Sequence, residues 1–129
     1  LYTVGSVKQI PGYRNYVSVD GGMPDNPRFA LYRSDYTVML ADKADKPGTF
    51  VCTVAGRCCE SGDLIQENVC IPDPERGDVL AVLTTGAYNY AMSSNYNAIC
   101  KPPVVMLDGE RDYIAVRRET FEDLVACQN

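Results

Sequence analysis

The chain has 129 residues, 12 Lys+Arg against 17 Asp+Glu for a formal charge of −5, and no His. That length suits one domain, and 46% hydrophobic with 22% charged residues is the balance of a folded globular protein rather than a disordered one. An acidic chain with scattered Lys and Arg is a poor partner for a phosphate backbone, so no nucleic acid is expected. No apolar stretch approaches the roughly 20 residues that cross a bilayer, so no membrane is expected either. The lack of His excludes Ser–His and Cys–His pairs and His-bearing zinc sites. Chemistry here rests on Cys, Tyr, Lys, Arg or carboxylates, or on residues outside the chain.

The first strand signal is Tyr16-Val17-Ser18-Val19, closed by Asp20-Gly21-Gly22. Tyr36 to Leu40, Thr49 to Val54 and Leu64 to Ile71 read as three more strands, and Pro72 to Asp78 as a loop. The continuous apolar run in Val79 to Thr84 implies a strand covered on both faces. Tyr88 to Asn97 lacks alternation and reads as a short helix or loop. Val104 to Leu107 and Tyr113 to Val116 flank Asp108-Gly109, a hairpin signal. Thr120-Phe121-Glu122-Asp123 resembles a capping box opening a terminal helix, whose apolar face would be Phe121, Leu124 and Val125. Six or seven short strands at this spacing predict an all-β fold, a barrel- or sandwich-like domain with short helices. No repeat or linker divides it.

Six Cys make about 5% of the chain, below the roughly 8–10% of disulfide scaffolds, and no C-x-x-C pair occurs. Reduced thiols in a cytoplasmic protein are the expectation. The chain opens at Leu1 rather than Met, so its native start is expected upstream and the lack of a leader says little.

Four loop segments carry residues that a plain turn does not need. In the first, Asp20 to Tyr32, Arg28 and Tyr32 are four apart, so a helical turn would set a guanidinium and a phenol on one face. That pair suits a carboxylate, because the fork of Arg matches two oxygens; a surface Arg beside a packing Tyr satisfies the same spacing. The second, Arg57-Cys58-Cys59-Glu60-Ser61-Gly62-Asp63, joins a thiol and a carboxylate in one turn, and such a thiol could act as nucleophile or proton donor. One structural Cys beside one exposed bystander is the plainer alternative. Adjacent Cys58 and Cys59 do not suit a mutual disulfide. The third, Gly86 to Asn97, gathers Tyr88, Tyr90 and Tyr96 with three Asn, either a polar wall for a ligand or a hydrogen-bonded turn. The fourth, Arg117-Arg118-Glu119-Thr120, reads as a salt-bridged helix entry.

In their order and spacing, Val19-Asp20-Gly21-Gly22-Met23, Arg28 to Tyr32, Cys59 to Asp63, Gly86-Ala87-Tyr88, Ser94-Asn95-Tyr96-Asn97 and Arg118-Glu119-Thr120 resemble the C-terminal portion of the diaminopimelate decarboxylase family. These are pyridoxal-phosphate enzymes of the alanine-racemase-like fold type III. The resemblance runs from about Tyr2 to Val125. It implies that residues 1–129 form the C-terminal β domain of a two-domain enzyme, a fragment without its (β/α)₈ barrel and inactive alone. The family draws part of its β domain from the far N-terminus, so an open edge and self-association are expected of this piece.

Carried over by position, the resemblance places Arg28 and Tyr32 on a substrate carboxylate and Glu60 on the distal ammonium. Tyr88 falls against both cofactor and substrate, and Cys59 on the proposed proton donor. Cys59 and Glu60 would serve the active site of a second subunit, which implies a homodimer. Pyridoxal phosphate, held mainly by the barrel, would be the electron sink for decarboxylation of meso-2,6-diaminopimelate to L-lysine. The protein would add orientation, selectivity and a proton from a thiol. A distal end bearing both charges calls for an Arg and a Glu, which argues against the alternatives of ornithine, arginine or carboxynorspermidine as substrate. A non-catalytic β-domain binding module is the alternative from another class. Cys58 and Phe29 depart from the family's usual residues.

Overall fold

The computed structural model describes residues 1–128. Eight strands form: β1 (Tyr2–Ile10), β2 (Arg14–Val19), β3 (Val38–Leu40), β4 (Phe50–Ala55), β5 (Leu64–Ile71), β6 (Val79–Val82), β7 (Val104–Asp108) and β8 (Arg111–Val116). Three short helices accompany them: α1 (Arg28–Tyr32), α2 (Asn89–Met92) and α3 (Phe121–Val125). The all-β expectation holds, with one strand more than the seven read from the sequence. The addition is β1, the longest. Its central residues alternate weakly and include Gly5, so its sequence carries no clear period, and its place comes from pairing on both sides rather than from local propensity.

The first six strands make one sheet in the order β3-β6-β1-β2-β4-β5, and β7 with β8 makes a separate hairpin. All pairings are antiparallel except β2 with β4, where Tyr16 lies opposite Thr53 and Ser18 opposite Ala55. A parallel pair needs a crossover rather than a tight turn. The segment between β2 and β4 supplies it and carries Asp20-Gly21-Gly22, α1 and β3. The sheet curls until β3 and β5, its two edges, touch, yet no backbone ladder joins them. The Gln66 side chain bridges the gap instead: its Oε1 accepts from the Tyr36 N–H at 3.1 Å and its Nε2 donates to Asp35 Oδ1 at 3.2 Å.

Period-2 alternation builds the core. Val17 and Val19 of β2, Phe50, Cys52 and Val54 of β4, Ile65 and Ile71 of β5 and Leu80 and Val82 of β6 pack inside with Val4 and Leu40. The run Leu80-Ala81-Val82 is buried on both faces, as its continuous apolar character implied, whereas Leu83 emerges. All six Cys are free thiols. No helix among the described residues is long and apolar enough to cross a membrane.

The C-terminal elements are well made locally and poorly covered. The Asp108–Arg111 turn closes the hairpin as expected. Thr120 and Asp123 form the capping box, with the Thr120 N–H donating to Asp123 Oδ2 at 2.8 Å, and Arg117 grips Asp123 through both Nη atoms at 2.6 and 2.7 Å. The apolar face of α3 turns outward, however: Phe121 is 74% exposed, and on the hairpin Leu107 is 80% and Ile114 66% exposed. Exposed apolar side chains of this size favour association in water. The isolated chain is therefore expected to self-associate with rising concentration in sedimentation velocity. Leu107→Lys combined with Phe121→Lys should restore a single monomeric species, and a wild-type chain that stays monomeric throughout would refute the expectation.

Candidate functional site

The loop that follows β2 and the loop between β4 and β5 are fastened together by one carboxylate. Asp63 is 2% exposed. Its Oδ1 accepts from the Met23 N–H at 2.6 Å and its Oδ2 from the Cys58 N–H at 2.7 Å. Short bonds to a carboxylate are the strong kind. Gly22 and Gly56 make the approach possible, since a Cβ at either would lie under 3.0 Å from this carboxylate. Backbone bonds complete the seam: Gly56 N–H to Asp63 O at 2.8 Å, Arg57 N–H to Gly21 O at 2.9 Å and Asp63 N–H to Glu60 O at 3.1 Å. The turn carrying Cys59 and Glu60 is thus held rigidly against the turn that launches α1.

Within that turn the two thiols differ. Cys58 is partly covered, and burial together with the neighbouring Asp63 carboxylate pushes its pKa up to about 11. Cys59 is exposed. Glu60 is exposed as well and accepts a hydrogen bond from the Tyr96 hydroxyl at 3.3 Å.

A single helical turn sets the other group. Phe29 is buried and anchors α1, and Arg33 ends it in the left-handed region at φ 55°. Arg28 and Tyr32 fall on one face, as their spacing required, with the guanidinium 5.8 Å from the Tyr32 ring centre. Tyr88, sixty positions away, brings its ring to 5.4 Å from the same guanidinium. Arg28 therefore sits between two phenols, an arrangement that orients a guanidinium by cation–π attraction, and among the described residues it has no carboxylate partner. Its fork is free to receive an anion.

Arg28 and Tyr88 line an open cleft of about 400 Å³, together with Tyr36, Thr84, Asn89 and others; Tyr32, Cys59 and Glu60 are not part of its wall. The five residues singled out in the sequence thus fall into two groups, Arg28–Tyr32–Tyr88 and Cys59–Glu60. Three contributors went unassigned in the sequence. Asp63 stood in a motif without a role of its own. Tyr96 meets Glu60. Asn89 is 6% exposed, lines the cleft, takes the Tyr36 hydroxyl on Oδ1 at 3.4 Å and leaves Nδ2 without a partner. The density of Tyr and Asn in Gly86 to Asn97 was their signal. Among the described residues no cluster of His, Cys, Asp and Glu could hold a metal ion.

Two outcomes follow from the seam. Asp63→Ala leaves two covered N–H donors unpaired and is expected to cost about 2–4 kcal/mol in denaturant unfolding, whereas Asp63→Asn, which keeps an acceptor, should lose less; an unchanged midpoint for Asp63→Ala would remove the carboxylate from its structural role. Only thiolate is alkylated, so Cys58 should label slowly at pH 8 and faster as pH rises toward about 11. Rapid labelling of Cys58 at pH 8, followed by peptide mass spectrometry, would contradict that burial.

Comparison with known proteins identifies the family of this domain. Residues 1–86 match the family model for the C-terminal sheet domain of pyridoxal-dependent decarboxylases. The chain is 47% identical over 125 residues to the diaminopimelate decarboxylase of Bacillus subtilis, an alignment covering 97% of this chain and 28% of that protein. Among solved structures, diaminopimelate decarboxylase from M. jannaschii in complex with L-lysine superposes with a TM-score of 0.89 at 32% identity, covering 99% of this chain and 29% of that one. The Helicobacter pylori enzyme, also with L-lysine, gives 0.87 at 29% identity, covering 98% and 30%. The chain spans less than a third of the length of each of these relatives. On the match over residues 1–86, the chain belongs to the pyridoxal-dependent decarboxylase family, in the part of it that forms the C-terminal sheet domain.

Proposed function

We propose that this chain is the C-terminal domain of a diaminopimelate decarboxylase, a cytoplasmic homodimer that converts meso-2,6-diaminopimelate to L-lysine and CO₂ with pyridoxal phosphate. The observation that carries the reading is the pairing of an unpartnered guanidinium, Arg28 between Tyr32 and Tyr88, with an exposed carboxylate, Glu60, on a braced turn. A substrate whose far end bears both a carboxylate and an ammonium needs one of each. A diamine precursor without the distal carboxylate would leave Arg28 unmatched, and an unpaired charged group in a desolvated site costs about 1–3 kcal/mol or more.

The cofactor fits this chain as a neighbour rather than as a covalent tenant. No lysine lines the cleft, while the Tyr88 ring and the unpartnered Nδ2 of Asn89 offer a face and a donor. When bound, pyridoxal phosphate supplies the electron sink for the pair left as CO₂ departs. The residues of this chain do the rest. Arg28 takes the distal carboxylate through its fork, oriented by the two rings. Tyr32 adds a phenol beside that carboxylate. Tyr88 packs against cofactor and substrate. Glu60 receives the distal ammonium. Cys59 holds the proton that is returned to Cα and delivers it as a general acid. Arg28 and Tyr88 share a cleft that excludes Cys59 and Glu60, which is the division expected when the two groups serve the active sites of different subunits.

The test is CO₂ release by the complete parent polypeptide with pyridoxal phosphate, offered meso-diaminopimelate, ornithine, arginine and carboxynorspermidine. Turnover confined to meso-diaminopimelate is expected. Cys59→Ala should lower kcat by about 10²–10⁴-fold, the usual worth of a positioned acid, and Arg28→Ala and Glu60→Ala should chiefly raise KM. Preferred turnover of ornithine or arginine would sink the assignment of the distal charges.

A further inference from the structure

Beside the two functional turns lies a third whose construction neither the packing nor the proposed chemistry requires. The single turn Tyr96–Ala98 holds two consecutive residues in the left-handed region, Asn97 at φ 56° and Ala98 at φ 55°. Asn tolerates that conformation; Ala rarely adopts it, and strained backbone of this kind persists only where its surroundings impose it. Here the surroundings are explicit. Asn95 Nδ2 donates to Ile99 O at 3.1 Å and to Glu119 Oε2 at 2.6 Å, and the same Glu119 oxygen accepts the Lys101 N–H at 2.8 Å. The Ser94 N–H donates to Pro24 O at 3.0 Å, tying the start of the turn to the loop that leads into α1. What this framework presents is one group, the Tyr96 hydroxyl, on Glu60 Oε2.

We propose that Tyr96 is a positioning residue that fixes the Glu60 carboxylate for recognition of the substrate's distal ammonium. The inference rests on the reading of Glu60 given above and extends it. Glu60 sits on an exposed turn whose backbone Asp63 holds from beneath, but a free glutamate side chain on such a turn would sample several rotamers. The phenol donates to one carboxylate oxygen and leaves the other for the incoming ammonium. The Glu60 charge in turn holds Tyr96 in its protonated, donating form, raising its pKa above the ordinary tyrosine value. The ring of Tyr96 is kept in Tyr96→Phe, which removes the donor alone.

The experiment uses the full-length enzyme with its cofactor and two ligands, meso-diaminopimelate and 2-aminopimelate, which lacks the distal amine. Tyr96→Phe is expected to raise KM for meso-diaminopimelate about fivefold, the worth of one hydrogen bond, with kcat and inhibition by 2-aminopimelate unchanged. Glu60→Ala should weaken meso-diaminopimelate more, and the double variant should be no worse than Glu60→Ala, the signature of two residues acting through one contact. Equal weakening of both ligands by Tyr96→Phe would reduce the residue to a structural part and overturn the proposal. So would a Tyr96→Phe enzyme identical to wild type beside an impaired Glu60→Ala. If Glu60→Ala leaves discrimination between the two ligands intact, the reading of Glu60 itself fails, and the proposal falls with it.

Discussion

A single buried carboxylate organises the candidate site of this domain. Asp63 closes the turn that bears Cys59 and Glu60 and at the same time bonds to Met23 in the loop before α1. Without it Arg57, whose N–H meets Gly21 O, would be left to hold the two loops together, and each would move at lower cost. With it, they form one unit backed by the parallel pair β2–β4, and the residues they project inherit the stiffness of the sheet. Preorganisation of this kind matters because charged recognition groups are effective only when their geometry is settled before the ligand arrives. Cys59 and Glu60 stand exposed on the turn, and Asp63, sealed away beneath them, is the brace.

The same economy governs Arg28. Its α1 helix has only five residues, too short to be stable on its own. Phe29 in the core and the left-handed Arg33 define its two ends. Two aromatic rings then do for the guanidinium what a carboxylate would otherwise do, orienting it without neutralising it. A salt bridge at this place would have fixed Arg28 and spent its charge.

Much of the fold was legible in the chain. β5 matches its reading residue for residue, β4 differs by one position at each end, and the hairpin turn and the capping box of α3 announced themselves through local chemistry. These are features whose physics is short-range: alternation, turn residues, a Thr three positions before an Asp. β1 was not legible, because what makes it a strand is the company of β2 and β6, and the outward-facing Phe121 could not be told from an inward-facing one by periodicity alone. At the site, Arg28 and Tyr32 could be paired from their spacing and Tyr88 could be joined to them only through the family resemblance. The contact of Tyr96 with Glu60 and the service of Asp63 to two loops are long-range facts, set by how the sheet folds the chain back on itself.

The strand order has a bearing on how the molecule comes to exist. β1 lies in the middle of the sheet, with β2 on one side and β6 on the other, and its Thr3 pairs with Val79. β1 and β2 can meet early as a hairpin, but Tyr2 and Thr3 at the start of β1 find their second partners only in β6. β3 must wait for β6 as well. Pairings so distant in the chain carry a large loop-closure penalty and slow folding, and an open apolar edge in the interval invites other chains. A sheet ordered in this way is closed around β1 only when a strand some seventy residues further along the chain has docked.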